Sequence, residues 1–122
     1  MKGGDSFIPA KFDSHLWIIL SEPSIDSENV VIVNFTTHTI DEEQYCLVHK
    51  GDHPFVKHKT AVRYRDAKTV SIDQLDTLVK ASQLKPNRPL SATLLKRVRD
   101  GAAKSDFLPE GCRQILDDQA LI

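Results

Sequence analysis

The chain has 122 residues, of which 40% are hydrophobic and 27% charged: enough for one buried core, too few for two, and not a disordered composition. Lys plus Arg number 16 against 17 Asp plus Glu, so bulk charge points to neither nucleic acid nor membrane, and any basic surface has to come from local clustering. The longest apolar runs, Leu16 to Leu20 and Val30 to Val33, fall far short of a membrane span. Met1-Lys2-Gly3-Gly4-Asp5 lacks the apolar stretch of a signal peptide, which predicts a cytoplasmic protein with no membrane partner.

In chain order, two β runs come first. His15 to Leu20 and Val30 to Phe35 are rich in β-branched and aromatic residues and are bounded by the turn-like Ser21-Glu22-Pro23-Ser24 and Asp26-Ser27-Glu28-Asn29. Their nearly continuous apolar character predicts strands buried on both faces, or closed into a barrel, with Trp17, Ile18, Ile19, Val31, Val33 and Val62 facing a common core. A third run spans Gln44 to His49, and a fourth, Thr60 to Tyr64, alternates as a half-exposed strand does. The period then changes. Ser71 with Gln74 three residues later is a capping-box start, leading into Leu75, Leu78 and Val79 on one helical face. Lys85 to Pro89 breaks that helix. Ser91 caps a second one carrying Leu94, Leu95 and Val98, with Gly101 as its stop. Leu108 to Leu116 fits a third, with Pro109 in its first turn. Strands first and helices last predicts one α+β domain over 1–122: a small antiparallel sheet or barrel over 12–70, then a helical region over 71–122. Cys46 and Cys112, far apart with no C-x-x-C, read as buried free thiols.

The strand pair carries a resemblance. His15 to Ser21 followed by Val30 to Thr37 is similar to the core of PemK/MazF-like growth-inhibitor toxins, where an apolar strand ending in Leu-Ser precedes one ending in a Thr-Thr or Ser-Thr pair. Val62 to Val70 resembles that family's later strand, in which an Arg and an Asp precede a basic-Thr-aliphatic ending. The resemblance covers roughly residues 12 to 80. It implies an SH3-like barrel, a homodimer, a cognate antitoxin as protein partner, and metal-free cleavage of RNA without a cofactor. Departures accompany it. The strand-initial Arg-Pro of many members is His15-Leu16 here. Arg63 matches the family's Arg, but Arg65 stands where its Asp would be, with Asp66 one residue later. In a regular strand that shift sends the carboxylate to the opposite face.

Metal-free RNA cleavage needs a base, an acid and donors to the charged phosphorane. Imidazole can take either proton role near neutral pH, Arg and Lys can hold phosphate, and Thr hydroxyls can donate to it. His15, Thr36, Thr37, His53, His58 and Arg63 are therefore the catalytic candidates. Lys57, His58, Lys59, Arg63, Arg65 and Lys68, interleaved with Phe55 and Tyr64, form the one basic stretch and are the candidates for binding RNA.

The segment Gly51-Asp52-His53-Pro54-Phe55-Val56-Lys57-His58 admits three readings. A metal site from His49, His53 and His58 matches no zinc spacing. A plain turn has Gly51-Asp52 reversing the chain while Phe55 and Val56 plug the core. A phosphate surface leaves His53 and His58 wet and beside RNA, and the resemblance favours it. His38 and His49 read as strand or loop residues, and Asp26, Glu28, Asp41, Glu42 and Glu43 as solvated loops. The function that follows is a toxin-like endoribonuclease acting on single-stranded RNA. The alternative is the same fold without catalysis, binding nucleic acid or a protein.

Overall fold

The computed structural model describes residues 1–11, 14–23 and 28–122; the turns expected at Ser24 and at Asp26-Ser27 lie outside the described residues. The elements are β1 (Ser6–Pro9), β2 (Trp17–Ile19), β3 (Asn29–Thr37), β4 (Leu47–Val48), β5 (Thr60–Ser71), α1 (Ile72–Lys80), β6 (Leu84–Asn87), α2 (Ala92–Lys104) and α3 (Glu110–Asp118). The described strands form one curled antiparallel sheet in the order β4-β5-β3-β2-β1-β6. The fold is mixed α+β, as expected, but its strands do not all come first. β6 falls between α1 and α2 and pairs with β1 from Ser6↔Asn87 to Pro9↔Leu84. Pro86, which reads as a helix breaker, sits in an edge strand, where a missing N–H costs no ladder bond. No helix among the described residues is long and apolar enough to cross a membrane.

The apolar runs are buried on both faces because the sheet has a core on each side. Leu16, Ile18, Val31, Val33 and Val62 pack with Leu94, Val98 and Leu116 of α2 and α3. Trp17, Ile19, Val30 and Ile32 pack with Phe7, Leu75 and Leu84 on the other side. The expected common core is thus two cores, divided by the two-residue alternation of the strands.

Helix starts follow their signals. Ser71 Oγ accepts from Gln74 N–H and Ser91 Oγ from Leu94 N–H, each satisfying an amide that the first helical turn leaves open. Pro109 occupies the cap position of α3, and Leu108, Cys112 and Leu116 are buried behind it. Gly101 does not stop α2, which continues to Lys104. A side chain there would overlap Tyr64 Oη and come within 2.9 Å of Cys46 Cβ, so the glycine permits close approach of helix and sheet. Cys46 and Cys112 are buried free thiols, and burial pushes both thiol pKa values up.

Candidate functional site

The site begins with an irregularity in the central strand pair. β3 and β5 are in register at Ile32↔Lys68 and again at Asn34↔Arg63. Val33 alone therefore stands opposite Tyr64, Arg65, Asp66 and Ala67. Three extra residues on β5 invert the alternation across the bulge, so Arg63 and Lys68 come to line the same cleft. Asp66 lines it too, 3.5 Å from Arg63 Nη1. The carboxylate expected on the opposite face thus meets the arginine, because this strand is not regular.

The bulge is held by an acidic segment expected to be solvated. Glu43 is buried, accepting from Tyr64 N–H at 3.2 Å, Arg65 N–H at 3.0 Å and Arg65 Nε at 3.2 Å. It supplies the acceptors that the interrupted ladder cannot. Glu42 pairs with Arg63, one oxygen against Nη2 and the other 3.3 Å from Nε. The Arg63 guanidinium holds the Glu42 carboxyl below the usual glutamate value, and Glu42 raises Arg63 in return.

Two adjoining clefts open beside the bulge, and Ser14 and His15 line both. One cleft is walled by Trp17, Asn34, Arg63, Asp66 and Lys68. Trp17, Asn34 and Arg63 are direct cross-strand partners and so share a face, and Lys68 Nζ lies 5.2 Å from the Trp17 ring centre. The other cleft is walled by Thr36, Thr37, Lys57, His58 and Thr60 over Phe35, Phe55 and Val56. Thr37 Oγ1 and His58 Nε2 are hydrogen-bonded at 3.0 Å.

Of the catalytic candidates, His15, Thr36, Thr37, His58 and Arg63 line these two clefts; His53 does not. It is buried rather than wet. Its Nδ1 accepts from Phe55 N–H at 3.1 Å, which leaves Nε2 as the donor to Arg88 O at 2.6 Å. With both ring nitrogens engaged, His53 ties the 51–58 turn to the segment after β6. The plain reading of the rest of that turn holds. Gly51 has φ +100°, Asp52 accepts from His49 N–H, Val56 is buried in the larger core and Phe55 packs against it. Among the described residues no group of three His, Cys, Asp or Glu side chains is placed to hold a metal ion.

The basic stretch is not one surface. Lys57 and His58 serve one cleft and Arg63 and Lys68 the other. Arg65 points elsewhere, bonded to Glu43 and stacked 5.3 Å from the Phe107 ring centre. Lys59 is exposed and lines neither cleft. Tyr64, which looked like an interleaved stacking ring, is wholly buried. The residues missed in the sequence are Ser14, Asn34 and Asp66. Asn34 left a signal, a lone amide inside an apolar strand; Asp66 left one in the resemblance, as the Asp one residue beyond its expected place, but without the bulge the alternation sends it to the opposite face.

The two clefts together offer imidazoles for proton transfer, cations for an anion, and hydroxyl donors, on a groove formed by β2, β3 and β5. Comparison with known proteins finds neither a family model nor a curated protein that matches this chain.

Proposed function

We propose that the chain is a PemK/MazF-like endoribonuclease of a toxin–antitoxin pair, with its curled sheet a variant of the SH3-like barrel, cleaving single-stranded RNA without a metal ion. The observation that carries the reading is His15 at the junction of two clefts, with Arg63, Asp66 and Lys68 on one side and Thr37, His58 and Lys57 on the other. The 2′-oxygen attacks the adjacent phosphorus while one imidazole takes its proton. The bond from phosphorus to the 5′-oxygen breaks, and an acid protonates that leaving oxygen. The products are a 2′,3′-cyclic phosphate and a 5′-hydroxyl. Lys57 and the Thr36–Thr37 hydroxyls from one cleft, and Lys68 from the other, offer donors to the charge that develops on the phosphorane oxygens. A homodimer and a cognate antitoxin belong to the same proposal and rest on the resemblance alone.

The test is cleavage of single-stranded RNA in excess EDTA. Intact cleavage with cyclic phosphate ends is expected; loss that zinc or magnesium restores would overturn the metal-free reading. One observation favours the non-catalytic alternative. Glu42 and Asp66 both hold the Arg63 guanidinium, as suits an arginine that shapes a binding groove. RNA binding without cleavage under any metal condition would select that alternative.

A further inference from the structure

The sheet face that carries the smaller core is covered by one short helix. Leu84, Phe7, Trp17, Ile32 and Val70 stand on this face across β6, β1, β2, β3 and β5, and Leu75 and Leu78 of α1 pack over it. A helix of nine residues is about 14 Å long, whereas five neighbouring strands span about 19 Å. α1 therefore leaves part of the face uncovered, as a groove of about 190 Å³. Phe7, Ile32 and Leu75 are its almost wholly buried floor, and Pro9, Val70 and Leu78 its half-buried walls. Among the described residues only two polar side chains line it, Lys68 and Gln74, and both are exposed.

These two restrict what can fill the groove. Lys68 is the one charged group lining it and makes no ion pair among the described residues. Its Nζ lies 5.2 Å from the Trp17 ring centre, so the ring holds the ammonium at the rim without neutralising it. The Gln74 amide can donate as well. An apolar groove with two donors and no carboxylate at its mouth is complementary to an anion carried on an apolar chain. One ammonium matches one negative charge, which a carboxylate supplies. The occupant is small. A stable protein interface buries about 800 Å² on each partner, and the exposed large hydrophobic residues, Ile40 and Phe107, stand outside this groove.

We infer that the groove between α1 and the sheet binds a medium-length aliphatic carboxylate, its chain along Trp17 and Leu78 and its head on Lys68 Nζ. No covalent bond is made or broken. This site does not depend on the ribonuclease reading of the neighbouring cleft, although Lys68 lines both.

Trp17 is the only tryptophan of the chain, so its fluorescence reports on the groove directly. The full chain is titrated at one ionic strength with butanoate, hexanoate and octanoate, and with octanol and octyltrimethylammonium. Octanoate is expected to bind saturably with a Kd of about 0.1–1 mM, and each methylene removed to weaken it roughly two- to fourfold. Octanol is expected to bind about threefold to fivefold more weakly than octanoate, the loss of a part-exposed ion pair, and the cationic ligand more weakly still. Lys68→Met is expected to erase the difference between octanoate and octanol, and Leu78→Asn to weaken both, with folding of each variant checked by thermal melting. No saturable change below about 10 mM, affinity independent of chain length, or equal binding of octanoate and octanol by wild type would each overturn the proposal. So would a preference that survives Lys68→Met, or unchanged binding in a folded Leu78→Asn. The wild-type series decides even where a variant fails to fold.

Discussion

Gly101 of α2 lies directly against Tyr64 of β5, so closely that an added Cβ would overlap the tyrosine hydroxyl and reach 2.9 Å from Cys46 Cβ. Tyr64 is fully buried, its hydroxyl donates to Val98 O at 2.7 Å, and burial pushes the phenol pKa up. Gly101→Ala is therefore expected to destabilise the protein by roughly 1–3 kcal/mol through overpacking, against the better helix propensity of alanine. Urea unfolding measures it. Tyr64→Phe removes the clashing oxygen, so the double variant should lose less than the two singles together. Strict additivity, or a stabilised Gly101→Ala, would contradict this packing.

Glu43 supports the bulge that brings Arg63 and Asp66 together, and its removal is expected to be felt twice. Glu43→Ala leaves the Tyr64 and Arg65 amides without an acceptor, at about 1–3 kcal/mol each. Glu43→Gln keeps one carbonyl oxygen and should cost less. Faster hydrogen exchange at the Tyr64 and Arg65 amides is the direct measurement, and unchanged exchange in Glu43→Ala would mean that the bulge holds without the carboxylate.

Acid stability follows from Glu42. Its folded pKa lies below the ordinary value of 4.5 because Arg63 donates to it. The group thus stabilises the fold fully above the unfolded value, and that contribution fades as pH falls through 4.5 toward the folded value, since the unfolded chain takes the proton first. The unfolding midpoint of wild type should exceed that of Glu42→Gln at pH 7, and the gap should close as the pH is lowered below about 4.5. A gap that stays constant down to pH 3 would show that the pair contributes nothing through its charge.

Much of this architecture is legible in the residues. Ser71 and Ser91 announce their helices because a hydroxyl three residues before an open amide is a local geometry. The strands over Trp17–Ile19 and Asn29–Thr37 are visible because continuous apolar character survives only where both faces are covered. What is not legible depends on partners distant in sequence. β1 and β6 are short and pair chiefly with each other. The bulge in β5 needs Glu43, some twenty residues away, to satisfy its amides. His53 reads as wet beside Gly51 and Pro54, and only the carbonyl of Arg88 explains its burial. The alternation rule misplaces Asp66 for the same reason: it assumes a ladder without an insertion.

The last prediction separates proton transfer from phosphate binding within the groove. His15→Ala and His58→Ala are expected to slow single-turnover cleavage by roughly 10²–10⁴-fold if each imidazole moves a proton, with RNA affinity nearly unchanged. His53→Ala should instead lower the melting temperature and leave cleavage by the folded protein intact, because both of its ring nitrogens are engaged inside the fold. Lys57→Ala and Lys68→Ala should each weaken RNA binding and flatten its salt dependence by about 0.7 in slope, one phosphate contact on a single strand. Arg65→Ala, aimed at Phe107 and away from both clefts, should leave that slope alone. If His15→Ala and His58→Ala cleave as fast as wild type, neither imidazole is the acid or the base. If Lys57→Ala and Lys68→Ala also bind RNA as wild type does, the groove of β2, β3 and β5 is not an RNA site.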